Sequence, residues 1–249
     1  MAPRVIKLGG NEIDSPEFLA EFAQIVAAQP EPPVVVHGGG KEIAALQARL
    51  GIEPKFIDGL RVTDAASLQI VEMVLGGSIN KRLVRTFALA GAQAIGLSGA
   101  DLALLRAEPI QAAGGDLGFV GRVTQVNTRA LRMLLQQRIV PVVAPIGFGF
   151  DGGAYNINAD HVALAIATAL DADALLFVTN VPGVKIDGAV VARLTPAEAE
   201  AHIASGQISG GMLPKVRSAL EAVAAGVPSV VICNLDGFRQ GTGTALSSG

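Results

Sequence analysis

The stretch Val34–Ile43, "VVVHGGGKEI", joins an apolar run to a glycine turn and then to a segment of helical spacing. Val34, Val35 and Val36 show no alternation of apolar and polar residues. That is the pattern of a strand buried on both faces, as in a parallel sheet. Lys41–Leu50 then repeats apolar residues at helical intervals and stops at Gly51, a residue suited to end a helix. Strand, glycine turn and helix in succession form the unit of an α/β fold. The turn is no P-loop, which needs four residues between its glycines and a Lys-Ser/Thr pair after them. Nor is it G-x-G-x-x-G, because residue 43 is Ile. A tight turn would need one glycine. Three at a strand end expose backbone N–H groups at the positive end of a helix, which suits a bound anion.

The same alternation extends both ways along the chain. Val5–Leu8, Ala94–Leu97, Val140–Ala144, Ala174–Val178 and Ser229–Ile232 read as strands. Pro16–Ala28, Ala65–Ala90 (one or two helices enclosing Gly76–Gly77), Thr128–Gln137, Asp160–Leu170, Pro196–Ser205 and Lys215–Ala225 read as helices, the first with Ser15 as N-cap. Apolar strands separated by helices predict a mainly parallel sheet covered on both faces. Between Leu104 and Val126 the chain is glycine-rich and alternating, which predicts β-hairpins.

Composition bounds the reading. Of 249 residues, 50% are hydrophobic and 16% charged, enough to bury a sizeable core and too apolar for disorder. A net charge of −3 provides no basic footprint for nucleic acid. The single cysteine, Cys233, excludes an intrachain disulfide and a cysteine zinc site, and it reads as a buried thiol at a strand end. His37, His161 and His202 are scattered without metal-ligand spacing, so no protein-held metal is expected. The opening "MAPRVIKLGG" shows no signal-peptide pattern, and no apolar run is long enough to span a membrane, which predicts a cytoplasmic protein.

In an open parallel sheet, ligands bind at the carboxyl ends of the strands. The polar or glycine-rich segments falling there are "KLGGNE", "HGGGKE", "NINAD", "TNVPGV" and "SGGMLPK". Lys7 stands in an apolar run before Gly9–Gly10, and alternation directs it toward that end. Asn156 and Asn158 offer amides suited to an amide or carboxylate ligand. Asp160 at a helix start reads, taken alone, as an N-cap. Lys215 at the head of a helix opposes the macrodipole, for which a bound anion would compensate, and Pro214 before it fits a helix start.

Taken in order, "KLGG", "VVVHGGG", "DGLRVTD", "NKRLV", "GLSGAD", "NINAD", "TNVPGV", "SGGMLPKV" and a terminal "GTGT" resemble the amino acid kinase family almost end to end. The resemblance is strongest to the branch that phosphorylates N-acetyl-L-glutamate in arginine biosynthesis. It implies a three-layer αβα sandwich in one domain, 1–249, with an acceptor-substrate lobe over 1–155 and a nucleotide lobe over 156–249. It implies ATP with Mg²⁺ as phosphoryl donor, and ATP and N-acetyl-L-glutamate as small-molecule partners. By position, Lys7 and Lys215 correspond to the lysines that stabilise the transferring phosphoryl group, and Asp160 to the aspartate that organises them. Gly39, Gly40, Arg61, Asn156 and Asn158 correspond to acceptor contacts, with Arg61 clamping a carboxylate. Gly9 and Gly10 lie nearer the phosphate. Asn180, Val181, Pro182, Gly183, Val184 and Lys185, together with Gln207, Ile208 and Ser209, correspond to nucleotide-binding segments.

The chain departs from the family's pattern in places. Only "NLDGFRQ" stands between the last-strand region and "GTGT", where relatives usually carry a helix, and Asn180 stands where an aspartate is commoner. Two other readings stay open: a kinase for carrier-protein-bound aminoadipate or glutamate in lysine biosynthesis, and a non-catalytic nucleotide or amino-acid sensor on the same fold. Lys7 lies six residues from Met1, leaving no room for the N-terminal helix that interlaces hexameric relatives. The resemblance therefore implies a homodimer, one that arginine does not inhibit through the hexamer mechanism.

Overall fold

The structure is a computed structural model and describes residues 3–10, 12–57, 60–111 and 114–247; the side chains of Phe56, Leu60 and Arg61 also lie outside that description. Along the chain run strand β1 (Arg4–Leu8), helix α1 (Pro16–Ala27), β2 (Val34–His37), α2 (Gly40–Arg49), the hairpin β3 (Phe56–Ile57) and β4 (Leu60–Arg61), α3 (Ala65–Val71), α4 (Asn80–Leu89) and β5 (Ala94–Leu97). There follow β6 (Leu105–Pro109), β7 (Gly121–Val126), α5 (Thr128–Gln136), β8 (Val140–Val143), β9 (Ile146–Gly149), β10 (Ala154–Asn156), α6 (Ala159–Ala169) and β11 (Ala174–Val178). The chain continues through β12 (Lys185–Ile186), β13 (Ala189–Val190), β14 (Arg193–Leu194), α7 (Pro196–Ala204), α8 (Met212–Ala224), β15 (Val230–Cys233), α9 (Leu235–Gln240) and β16 (Thr244–Leu246).

Eight strands form the central sheet in the order β14-β16-β15-β11-β1-β2-β8-β5. From β15 to β5 every pairing is parallel, and the direction reverses only between β15 and β16. Both faces are covered. Ile6, Leu8, Val35, Val142 and Leu176 pack with Phe22 of α1, Ile70 of α3, Phe87 of α4 and Phe238 of α9. Val5, Val34, Val36, Val143 and Phe177 pack with Leu131 of α5, Ile166 of α6 and Val216 of α8. The two-residue period of a strand makes this division, sending successive side chains to opposite layers. The chain is thus a three-layer αβα sandwich on a mainly parallel sheet. Phe22 joins the first layer with its ring 5.9 Å from Phe87 and 5.8 Å from Phe238, an aromatic cluster holding α1, α4 and α9 together.

The glycine-rich region forms β6 and β7, an antiparallel pair within a second sheet of order β10-β9-β6-β7. The segment expected to hold one or two helices is one rod. Glu72–Ile79, between α3 and α4, is wound as π-helix around Gly76–Gly77, with helical backbone at both junctions. Two boundaries differ from expectation. Helix α8 begins at Met212, so Pro214 and Lys215 sit inside its first turn rather than before it. Proline is tolerated there because first-turn N–H groups have no intrahelical partner. "NLDGFRQ" is itself largely helical, since Asn234 caps α9 through Gly237 N at 2.8 Å.

Candidate active site

The carboxyl ends of β1 and β2 stand side by side, and their glycine turns meet. Gly38 N donates to Leu8 O at 3.1 Å. A Cβ on Gly38 would lie 3.3 Å from Gly10 N, and one on Gly10 would lie 3.6 Å and 3.7 Å from the amide nitrogens of Gly39 and Gly40. Gly39 is closed in from behind. A Cβ there would meet Ile79 Cδ1 at 2.4 Å and Leu75 Cδ2 at 2.5 Å, both on the π-helix and both buried. His37, fully buried, steadies the turn from the strand side. Its Nδ1 donates to Gly38 O at 2.9 Å and its Nε2 accepts from Asn80 Nδ2 at 3.3 Å, which fixes one neutral tautomer. Burial pulls its pKa down to about 4.

Apart from α4, which continues the rod from Ile79, helix starts divide into two kinds. Ser15, Asp64, Asn127, Asn158, Thr195 and Asn234 each cap a helix with a side-chain oxygen. Helices α2 and α8 begin on Gly39 and Gly211 with no side-chain cap among the described residues. At α2 the first-turn N–H groups lack an intrahelical partner, and the helix dipole adds positive character; at α8, Met212 N donates to Ser209 O at 3.2 Å, Leu213 N donates to Gly210 O at 3.3 Å, and Pro214 has no N–H. Those two termini carry the HGGGK and SGGMLPK segments.

Lys7 points to the same face of β1 as Val5, the α6 side. Its Nζ lies 2.7 Å from Asp160 Oδ1, and both side chains are about one-fifth exposed. Asp160 is not the N-cap of α6. Asn158 is, its Oδ1 accepting from Asp160 N at 2.8 Å. The carboxylate of Asp160 is thereby left to the lysine. Lys215 projects from the first turn of α8, with Nζ donating to Gly211 O at 3.2 Å. Lys215 therefore bonds within its own turn and not to Asp160.

Asn156, on β10, donates from Nδ2 to Thr63 Oγ1 at 3.1 Å, which brings "NINAD" against "DGLRVTD". Asp64 of the latter caps α3. Arg61 lies on β4, and its side chain, with Asp58 and Gly59, lies outside the described residues.

On the other side of β1, the "TNVPGV" segment leaves β11. Asn180, Pro182 and Lys185 are exposed, Val181 is half-buried, and Gly183 and Val184 are buried, with the Val184 side chain in the core. Val184 N donates to Thr244 Oγ1 at 2.8 Å, and Thr244 Oγ1 donates to Val191 O at 2.6 Å, so the terminal "GTGT" fastens this segment. Gln207 is held at both ends of its amide: Oε1 accepts from His202 Nδ1 at 2.5 Å, and Nε2 donates to Asp187 Oδ1 at 2.8 Å. Ser209 is exposed, whereas the Ile208 side chain is in the core.

Two side chains escaped the sequence reading. Thr244 is a buried hydroxyl whose only sequence signal is its place in "GTGT". Glu12 is a carboxylate only 6% exposed, in the 3-10 turn Glu12–Asp14 after Gly9–Gly10. Its Oε1 accepts from Thr179 Oγ1 and from Asn180 N, each at 3.1 Å. An acidic residue two positions after a glycine pair at a strand end was the available signal. Cys233 is buried, its thiol pushed up to about 12 by burial, and takes no part in the site.

Known proteins share this chain's sequence pattern and fold. The sequence profile of the amino acid kinase family matches residues 3–234. An acetylglutamate kinase of Roseiflexus castenholzii is 54% identical over 236 residues, covering 95% of this chain and 91% of its own. One from Stutzerimonas stutzeri is 48% identical over 242 residues, covering 92% and 81%. The crystal structure of smu.665 from Streptococcus mutans UA159 superposes with a TM-score of 0.82 at 35% identity, covering 99% of this chain and 98% of that one. The parallel sandwich, the facing glycine turns and these matches along nearly the whole length agree: the chain belongs to the amino acid kinase family.

Proposed function

We propose that the chain transfers the γ-phosphoryl group of ATP to the distal carboxylate of N-acetyl-L-glutamate, forming an acyl phosphate in arginine biosynthesis. The carrying observation is the start of α2, begun on glycine without a side-chain cap and packed on the Gly9–Gly10 turn that follows Lys7, whose ammonium pairs with Asp160. Relatives about half identical over nearly the whole chain are named for this activity.

The chemistry asks little of a base. A carboxylate acceptor, with a reference pKa of about 4, is already ionised at neutral pH. Its oxygen attacks the γ-phosphorus, the bond to the bridging oxygen of ADP breaks, and no proton moves. The obstacle is repulsion between anions, so positioning and charge neutralisation do the work. In this reading the acceptor lies against Gly39 and Gly40 at the start of α2, near Asn156 and Asn158, with Arg61 on its remote carboxylate. Asn158 already spends its carbonyl oxygen on the α6 cap, which leaves its amide nitrogen for a ligand. Lys7 and Lys215 face the transferring phosphoryl group, Asp160 fixes Lys7, and Gly9–Gly10 accommodate phosphate. Asn180–Lys185 and Gln207–Ser209 hold the nucleotide. For Val184 and Ile208 this is through backbone, because their side chains are buried.

Mg²⁺ would ride on the ATP phosphates and neutralise their charge. Among the described residues no three acidic, histidine or cysteine side chains gather. In this reading phosphate oxygens and water would hold the ion, with Asp160 the proposed carboxylate beside it. In this reading 1–155 is the acceptor lobe and 156–249 the nucleotide lobe, a division supported by the sheet order, in which β1, β2, β8 and β5 lie on one side of the β1–β11 pairing and β11, β15, β16 and β14 on the other. Leu89 of α4 is 91% exposed and Ile95 lies on the outer strand β5, an apolar edge that suits a homodimer. Among the described residues no helix is long and apolar enough to cross a membrane. We take the enzyme to work in the cytoplasm.

The test offers N-acetyl-L-glutamate, carrier-linked aminoadipate, aspartate or no acceptor with Mg-ATP, and traps product with hydroxylamine. Hydroxamate and ADP should appear together with N-acetyl-L-glutamate. ADP release independent of acceptor, or hydroxamate only with the carrier-linked substrate, would sink the proposal.

A further inference from the structure

We propose that Glu12 is a positioning residue for the nucleotide: its buried carboxylate ties the end of β11, where Asn180–Lys185 begins, to the Gly9–Gly10 turn. The proposal further holds that Gly9 is glycine to make room for that carboxylate. This deepens the kinase reading and rests on it.

A carboxylate at 6% exposure persists only if its oxygens are bonded. Oε1 takes the Thr179 hydroxyl and the Asn180 amide, both at 3.1 Å, across 167 and 168 residues of sequence. Thr179 N in turn donates to Cys233 O at 2.9 Å, so the strand end Glu12 grips is joined to β15 as well. The turn carrying Glu12 is itself fixed from the acceptor side. Ile13 O accepts from Arg82 at 3.3 Å, and Asp14 lies 3.7 Å from Lys41 of the HGGGK segment. Glu12 therefore reaches from a turn anchored beside α2 to the first residue of the nucleotide segment.

Gly9 gives an independent observation. Its φ lies outside the left-handed region, so backbone conformation does not demand glycine. A Cβ there would lie 2.0 Å from Glu12 Oε2 and 3.0 Å from its Cδ. The missing side chain is the space the carboxylate occupies. The Asn180 N–H is also consumed by Glu12 and not free for phosphate. The segment contributes by where it is held.

Calorimetric titration with ADP and Mg²⁺ tests this without any acceptor. Wild type should bind. Glu12→Ala should weaken ADP about tenfold, the scale of a lost bond to a buried charged acceptor. Glu12→Gln keeps an Oε1 acceptor and should stay within about threefold. The KM for N-acetyl-L-glutamate should stay within about twofold in Glu12→Ala, a split that general loosening would not produce. Gly9→Ala should match Glu12→Ala, and the double variant should be no weaker than either. Unchanged ADP affinity in Glu12→Ala, equal loss for ADP and acceptor, or multiplied effects in the double variant would overturn the proposal. If Glu12→Ala does not fold, Thr179→Val removes one donor, and unchanged ADP affinity there would overturn it equally. A wild-type chain that binds no ADP would instead overturn the kinase reading beneath it.

Discussion

The two glycine turns at uncapped helix starts use glycine for opposite reasons. In His37–Gly40 two of the three glycines are crowded: Gly38 abuts Gly10, and Gly39 is backed by Leu75 and Ile79, while Gly40 faces open space. In Ser209–Met212 they are open: nothing lies within 4 Å of a Cβ on Gly210 or Gly211, and Gly210 is glycine for its φ of +54°. One turn is set by packing against the core, the other by local backbone alone. A packed turn presents its amides in a fixed place before ligand arrives. An open turn can adjust around one. On the proposed reading, the acceptor side is preorganised, and the nucleotide side takes its order from the bonds of Glu12, Thr244 and Gln207.

Substitutions can break or sharpen that contrast. The largest effect is expected from Lys215 in the open turn. If it stabilises transition-state charge, Lys215→Ala should lower kcat by about a hundredfold or more with a smaller change in acceptor KM. Unchanged turnover removes it from the mechanism. Arg61 comes next. A guanidinium–carboxylate clamp depends on its fork, so Arg61→Lys should raise acceptor KM about tenfold and leave that for ATP alone. Equal loss for both substrates would make Arg61 structural.

The turns themselves give the direct contrast. Gly39→Ala must displace two buried side chains and should cost about 1–3 kcal/mol in denaturant melts. Gly211→Ala meets nothing and should cost under about 1 kcal/mol. Equal costs would erase the distinction. His37 supplies the last test. Its folded pKa, about 4, lies below the ordinary 6.5, so between those values the unfolded chain binds a proton that the folded one refuses. Stability should be full above about pH 6.5 and fall toward pH 4, by up to ~3 kcal/mol. In His37→Gln the fall should be shallower. An identical pH profile would show that other groups carry it.

Much of the fold was legible because its signals are local and repeated. "VVV" without alternation announced a strand covered on both faces, and Ser15 before Pro16 announced a helix start that the structure shows capped at Phe18 N. The alternation that put Lys7 with Val5 also put it toward α6, where Asp160 is. What escaped depends on distant partners. Asp160 looked like a cap because Asn158, two residues earlier, could not be seen to have taken that role. Helix α9 is too short for periodicity to register, and the Asn234 cap was its one signal. Glu12 drew no notice because its partners stand at the end of another strand, and Arg61's role rests on resemblance alone.

The π-wound stretch Glu72–Ile79 also sets the phase of everything after it. Each of its hydrogen-bonded rings holds one residue more than an α-turn, so α4 leaves rotated relative to a continuous α-helix from α3. Asn80 therefore faces the sheet, where its Nδ2 donates to Val142 O at 2.9 Å and touches His37, while Lys81 reaches Gly96 O at 3.1 Å. Deleting Gly76 or Gly77 would turn α4 by about 100° and swing both side chains off those partners. The spacing from Asp64 to Asn80 thus behaves as a fixed count.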